Sequence, residues 1–295
     1  MKLGLGTVQF GLNYGISNKQ GVPNPDEIKK ILSVLAKNGM EMIDTASLYG
    51  TSEEVLGKSL HLENNFKIIT KTPNFLNKNI TLEDVHLLES TLYQSLNKLN
   101  QSSIYGLLLH NADNLFNSNS HLLFEKMLEL KEKKLVSKIG VSIYTAEQID
   151  KALDIFKIDM IQLPINVLDQ RLLKNNYLKK LKELDIEIHA RSVFLQGLLL
   201  MNQEELDSFF DPVKQNLKNY HEYINKQRIS PVQSALKFLI DIEEIDKIII
   251  GVCNENQLIE IIESLTSLSQ VNLDFSQFSY DNDEILNPSK WKLKK

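Results

Sequence analysis

Cysteine is almost absent from this chain: the single Cys253 can form no internal disulfide, and no Cys cluster with metal-ligand spacing exists. A reducing, cytoplasmic setting is therefore expected. Also missing is any apolar stretch approaching the roughly 18–20 residues of a membrane span. The opening Met1-Lys2-Leu3-Gly4-Leu5-Gly6 lacks the long apolar region of a signal peptide, so no membrane association is expected. Charge of one sign is not gathered into blocks. The 33 Lys and Arg and 38 Asp and Glu residues are interspersed and leave a formal net charge of -5, which speaks against a nucleic-acid partner. No linker rich in Pro, Gly or Ser divides the 295 residues. The dinucleotide fingerprint of an open doubly wound sheet is missing too, because Gly4 and Gly6 are followed by Thr-Val-Gln-Phe-Gly, with no glycine where a helix should open.

What the chain does have is a core's worth of apolar residues, 42% against 24% charged. They fall into short β-branched or aliphatic runs that alternate with longer amphipathic segments. Eight candidate strands lie near Leu3–Gly6, Glu41–Asp44, Lys67–Lys71, Ile104–His110, Lys138–Ser142, Asp159–Gln162, Ile186–Arg191 and Lys247–Gly251. The clearest helix start is Asn24-Pro25-Asp26-Glu27, with a capping Asn, Pro in the first turn and two acids behind it. Asn38-Gly39 ends that helix. Thr81 and Asp84 open another, whose Val85, Leu88, Leu92, Leu96 and Leu99 make one apolar stripe. Without the fingerprint, eight such units favour an α/β fold of the (β/α)8 TIM barrel kind, with a parallel eight-stranded core formed by one domain over residues 1–295.

In such a barrel, catalytic groups sit where strands end at the C-terminal face. Three consecutive strands run into Asp44, Lys71 and His110, and Tyr49 follows Asp44 in the next loop. Singly, each has an ordinary structural explanation: a turn cap, a packed ring, a solvated amine, a hydrogen-bonded rim histidine. Together, at neighbouring strand ends, they make an acid–base set. His61, His86, His121, His189 and His221 lack metal-ligand spacing and read mostly as surface or helix residues, so no metal is expected.

The run Asp44-Thr45-Ala46-Ser47-Leu48-Tyr49-Gly50, with Ser52-Glu53 and Leu56-Gly57 behind it, resembles the signature of the aldo-keto reductase family. Gly140-Val141-Ser142, Gln162 with Asn166, and Gln196-Gly197-Leu198-Leu199 resemble later family motifs. The resemblance implies reduction of a small-molecule carbonyl with a nicotinamide cofactor. The family's catalytic Asp, Tyr, Lys and His correspond to Asp44, Tyr49, Lys71 and His110. Hydride delivered to carbon must be matched by a proton to oxygen. Tyr49 is the expected acid, its pKa of about 10 lowered by the Lys71 cation, which Asp44 holds in place. His110 resembles the residue that orients the carbonyl.

For the cofactor, Ser142 and Gln162 match two of the family's three carboxamide ligands. Ile143 stands where an Asn is usual, and Asn166 is either its replacement or a turn residue. Arg191 stands where an aromatic ring commonly faces the nicotinamide. It can stack on that ring, meet an anionic substrate or form a structural salt bridge. Ser192, Phe194, Leu195 and Gln196 should line the same rim, with Gln196 and Gly197 near the cofactor phosphates. Gly251, Val252, Asn254 and Gln257 occupy the phosphate-binding loop and helix start, where free backbone N–H groups suit an anion. The resemblance implies NADP(H) ahead of NAD(H), although Gln257 replaces a frequent Arg and no basic residue falls between Gly251 and Ile262.

Met1 lies too close to the first strand for the β-hairpin that plugs the barrel in the family, so loops or helix residues are expected to close the bottom. Trp291, near Pro288 and Asn287, either joins a substrate loop or packs on the barrel. Asn111–Ser120 and Met201–Arg228 are the distinctive loop segments in which specificity would reside. A monomer or small homo-oligomer is expected. Three other readings stand beside the reductase: a Schiff-base enzyme using Lys71, a cofactor-binding regulatory subunit with little turnover, and an internal-redox sugar epimerase or dehydratase.

Overall fold

A computed structural model describes residues 1–60, 66–267 and 273–293; His61 lies outside the described residues. Eight strands, β1 (Leu3–Gly6), β2 (Met42–Asp44), β3 (Lys67–Lys71), β4 (Ile104–Leu109), β5 (Val136–Ser142), β6 (Met160–Pro164), β7 (Glu187–Arg191) and β8 (Lys247–Gly251), pair in sequence order, all parallel. β8 closes on β1, with Leu3 opposite Ile248 and Gly6 opposite Gly251. The barrel and its eight strands are those expected. The differences are of one or two residues at strand ends: β5 starts earlier, at Val136, and β6 runs on through Pro164.

Helices cover the outside: α1 (Pro25–Lys37), α2 (Ser52–Ser59), α3 (Leu82–Leu99), α4 (His121–Glu132), α5 (Ala146–Ile155), α6 (Tyr177–Glu183), α7 (Lys214–Lys226), α8 (Pro231–Ile240), α9 (Glu255–Thr266) and the short α10 (Asp283–Leu286). Their boundaries follow local chemistry. The Asn24 side chain accepts from the Glu27 N–H at 2.9 Å to start α1, and Gly39, at φ +65°, turns the chain into β2. Thr81 and Asp84 form a reciprocal capping box on α3. The stripe from Val85 to Leu99 is buried as expected, each fully buried Leu contributing about 1.5–3 kcal/mol. Met201–Arg228 is not simply a loop, since it carries α7, whose Leu217, Tyr220 and Ile224 face the core.

Alternation along the strands sorts side chains between two environments. Ile43, Ile68, Leu107, Ile139, Ile161, Ile188 and Ile248 pack outward against the helices. Met42, Ile69, Leu108, Met160 and Ile249 form a separate cluster inside the barrel, with Tyr105 against it. Below them, at the N-terminal end of the barrel, lies a group of polar strand side chains. Tyr105 Oη donates to Glu187 Oε2 at 2.6 Å, and Lys138 Nζ reaches the same oxygen at 2.5 Å. Lys67 and Lys138 flank the Tyr105 ring at 5.7 and 5.5 Å from its centroid. His189, expected at the surface or on a helix, is instead a buried strand residue whose Nε2 lies 2.7 Å from Glu187 Oε1. Its place two residues after Glu187 on β7 points both side chains inward.

Candidate active site

The upper strand ends meet around a cavity of about 690 Å³, within the usual range for small-molecule sites. Asp44 closes β2 and Lys71 closes β3, and both are buried. Lys71 Nζ donates to both Asp44 carboxylate oxygens, at 2.8 and 2.7 Å, and to the Thr45 carbonyl at 2.8 Å. With Tyr49 Oη, four acceptors surround the three donors of an ammonium, so one hydrogen is shared. Burial pushes the Lys71 pKa below the ordinary lysine value, while Asp44 pulls it up; the hydrogen bonding fits the charged form. Gln162 Nε2 donates to Asp44 Oδ1 at 2.7 Å from across the barrel.

Tyr49 stands over this pair. Lys71 Nζ donates to Tyr49 Oη at 3.4 Å and lies 5.0 Å from the ring centroid. Among the described residues no group accepts from the phenol O–H, and Tyr49 lines the cavity. The turn that presents Tyr49 explains its signature. Thr7 Oγ1 and N both bond the Asp44 carbonyl, Ser52 Oγ bonds the Thr7 carbonyl at 2.9 Å, and Ser47 Oγ bonds the Lys71 carbonyl at 3.0 Å, tying β1, β2 and β3 to one loop. Gly50 has φ +57°, and a Cβ there would sit 2.5 Å from the Gly11 carbonyl oxygen, so only glycine fits. Glu53, buried behind, accepts from Thr70 and Ser95.

The Tyr49 pKa runs opposite to expectation. Burial of the hydroxyl and the nearby Asp44 charge raise it well above the ordinary tyrosine value, and Arg191 opposes that shift. Burial is the larger cause. His110 lies just past β4, its ring edge-on to Tyr49 at 5.8 Å between centroids. Burial, with Lys71 and Arg191 nearby, holds its pKa down at about 3, which favours a neutral imidazole, and its buried Nδ1 has no partner among the described residues.

Ser142, Gln162, Arg191, Ser192, Gln196, Gly197, Gly251, Val252 and Gln257 line the cavity with Asp44, Tyr49 and His110. Lys71 does not, being sealed behind Tyr49. Asn254 does not either: its side chain caps α9 and bonds Gln20. Asn166 is a turn residue, accepting from the Leu168 and Asp169 N–H groups and donating to the Ser192 carbonyl, so it does not replace the missing Asn. The start of α9 is less open to an anion than its sequence implies. Gln257 Oε1 takes the Cys253 N–H at 2.7 Å, Glu27 Oε1 takes that of Glu255 at 2.7 Å, and Asn254 takes that of Gln257. Arg191 makes no salt bridge among the described residues; its guanidinium lies 4.1 Å from the Tyr144 ring centroid.

The structure adds residues that sequence reasoning missed. Tyr144 also lines the cavity, and its place directly after Ser142-Ile143 at the end of β5 was a usable signal. Tyr14, Gly15, Ser17 and Asn18 come from the long β1–α1 connection, which crosses to the β7 side: the Ile16 N–H bonds the Gln196 carbonyl at 3.0 Å. Gly197, at φ +95°, faces Ser17 so closely that a Cβ would lie 1.9 Å from its hydroxyl oxygen. Nothing in the spacing of residues 14–18 announces that contact. Pro288 and Ser289 reach the cavity wall from the C-terminal segment, while the Trp291 indole packs edge-on to Phe210 at 4.9 Å and bonds the Ile285 carbonyl.

A closed parallel barrel with buried acid–base groups gathered at the C-terminal strand ends, under a cavity, is the architecture of a barrel enzyme. The profile of the aldo/keto reductase family matches residues 2–278, and the chain belongs to that family. It is accordingly an oxidoreductase of carbonyl chemistry, in a family that generally uses NAD(P)H. Among solved structures it is similar in fold to the aldo-keto reductase AKR11C1 from Bacillus halodurans in its holo form. That match has a TM-score of 0.75 and 17% identity, covering 99% of this chain and 94% of that one. The glycerol dehydrogenase AKR11B4 from Gluconobacter oxydans matches with a TM-score of 0.70 and 18% identity, covering 94% and 88%. No curated protein matches the sequence. Among the described residues no helix is long and apolar enough to cross a membrane.

Proposed function

We propose that the protein reduces an aldehyde or ketone to an alcohol at the expense of a nicotinamide dinucleotide, with Tyr49 as general acid. The observation that carries this reading is the Asp44–Lys71–Tyr49 relay, whose last member, the Tyr49 phenol, lines the cavity. The bound nicotinamide would supply hydride to the carbonyl carbon. Tyr49 would give its proton to the carbonyl oxygen as charge develops there, and the Lys71 ammonium, held by Asp44, would stabilise the phenolate left behind. The high Tyr49 pKa suits an acid that must begin protonated, and the transfer requires that the developing alkoxide be the stronger base. His110, neutral, would donate from Nε2 to the same oxygen, leaving its lone pair on the buried Nδ1.

The lining residues fit such a cofactor. The cavity extends from Tyr49 and His110 to Gln257 and Ile261. Ser142 Oγ and Gln162 Oε1 have no hydrogen-bond partner among the described residues, while Gln162 Nε2 is fixed on Asp44. Ser142 and Gln162 would hold the carboxamide, Gln162 accepting from its amine. Gln196, Gly197, Gly251 and Val252 would lie along the phosphates. Family resemblance favours NADP(H). A second reading, NAD(H), is favoured by the Glu27 carboxylate on the α9 N-terminus and the lack of a Lys or Arg on that wall.

The test is loss of reduced-nicotinamide absorbance over a panel of aldehydes, ketones and sugars, with NADPH and NADH separately, for wild type and Tyr49→Phe. Consumption by wild type alone, with cofactor binding retained in Tyr49→Phe, is the expected result. Cofactor binding without consumption by either protein would point to an internal-redox or regulatory role, and no binding at all would remove the nicotinamide reading.

A further inference from the structure

We infer that Arg191 is an anion subsite in the cavity wall, and that the carbonyl substrate carries a carboxylate or phosphate group that pairs with it. That the anion is a substrate rests on the reductase reading; the anion site itself does not. The Arg191 side chain is half-buried at the end of β7 and lines the cavity. Its Nη2 donates to the Ile143 carbonyl at 2.9 Å and its Nη1 to Ser192 Oγ at 3.2 Å. One face of the guanidinium is stacked on Tyr144. These contacts fix the group's plane and use two of its five N–H donors. Among the described residues no carboxylate lies within salt-bridge distance.

The contrast with Arg171 is informative. That residue is held by Asp169 at 2.8 Å and Asp283 at 2.7 Å, the usual fate of a guanidinium drawn out of water. Arg191 is drawn in, positioned by neutral groups and left without a counter-ion.

Charge near the acid makes the same point. Asp44 and Lys71 neutralise each other, and burial, holding the His110 pKa at about 3, favours its neutral form. Among the described residues Arg191 is therefore left as a charge without a counter-ion at this end of the cavity. Its field reaches the catalytic groups, opposing the rise in the Tyr49 pKa and depressing that of His110. An anionic group would supply the missing counter-charge and could engage the guanidinium through two parallel hydrogen bonds. Tyr14 and Tyr144, on the same wall, add hydroxyl groups. A cofactor phosphate is the other source of such chemistry, and the experiment separates the two.

The kinetic probe is a matched pair, succinic semialdehyde and butanal, assayed with saturating cofactor on wild type, Arg191→Ala and Arg191→Lys. The binding probe is succinate, titrated calorimetrically into each protein saturated with oxidised cofactor and, separately, into each without cofactor. Wild type should prefer the anionic aldehyde in kcat/KM by roughly 10- to 100-fold, the scale of a charge-assisted hydrogen bond. That preference should collapse in Arg191→Ala and partly return in Arg191→Lys. Succinate should bind wild type and not Arg191→Ala. Succinate binding without turnover of any aldehyde would keep the subsite and sink the reductase reading. Turnover with no charge preference and no succinate binding would overturn the subsite and keep the reductase. If Arg191→Ala weakens dinucleotide binding and leaves the anionic preference intact, Arg191 serves the cofactor and the inference is wrong.

Discussion

The two mouths of the barrel are built from the same four kinds of side chain. At the upper end stand Lys71, Asp44, Tyr49 and His110; at the lower, Lys138, Glu187, Tyr105 and His189. In the lower set Glu187 is saturated by Tyr105 Oη, Lys138 Nζ and His189 Nε2. The Tyr105 hydroxyl gives its hydrogen to a carboxylate. In the upper set the carboxylate is saturated as well, but by Lys71 and Gln162, and Tyr49 is left as an acceptor lining a cavity. The same chemistry is therefore a saturated cluster at one end and a candidate proton relay at the other. What separates them is which group takes the carboxylate's lone pairs and whether there is room beside the phenol.

Substitutions at matched positions sharpen that contrast. The largest effect is expected at Tyr49→Phe, which should lower kcat by about 10²–10⁴-fold, the usual contribution of a general acid, while leaving the melting temperature close to that of wild type. Glu187→Ala should do the reverse, lowering stability by roughly 1–3 kcal/mol in denaturant titration. It strands the buried His189, and the figure is discounted because Lys138 is about one-third exposed and screened. A Glu187→Ala protein that melts like wild type but loses turnover would break the comparison. Tyr105→Phe should cost about 1 kcal/mol, one hydrogen bond, and retain turnover.

Protonation gives a smaller handle at each end. Glu187 is held well below the ordinary carboxyl value by His189, Lys138 and Tyr105, against its burial. Its stabilisation should be complete above the unfolded value near 4.5 and fade as pH falls from there toward the depressed folded value. Thermal melts of wild type and Glu187→Gln should converge over that range. His110 behaves as a base whose folded pKa, about 3, lies below its unfolded value of 6.5. The unfolded chain takes up the proton first, so stability should decline as pH falls from about 6.5 toward 3. Across pH 5–8, an NMR titration should find the His110 ring resonances unmoved; a midpoint near 6.5 would show that the imidazole is solvated and not sealed as described.

Much of this arrangement was legible in the chain. Periodicity placed every strand within two residues of its observed ends, because the pattern of apolar runs and caps is local. The same reasoning put Asp44, Lys71 and His110 at strand ends, and the capping chemistry at Asn24, Thr81 and Asp84 holds in the structure. It failed where a side chain's fate depends on partners distant in sequence. His189, expected at the surface or on a helix, lies in the barrel interior, since alternation on one strand says which face a residue takes but not what waits there. Asn254 and Gln257, read as an open anion site, spend their polar atoms on the α9 start. Tyr14 and Ser17 enter the cavity only because the β1–α1 connection crosses to the β7 side.

The sequence by itself determined the eight-unit barrel and the strand ends that carry Asp44 and Lys71, because these follow from short-range spacing, and its motifs resemble those of the family to which it belongs. Tertiary structure alone decided the charge states and the vacant donors: that Lys71 is spent on Asp44, that burial raises the Tyr49 pKa where a free cation would lower it, and that Arg191 has no carboxylate to meet. Those properties depend on desolvation and on distances between residues far apart in the chain, such as Gln162 and Asp44, 118 positions apart. Such distances exist only once the barrel has closed.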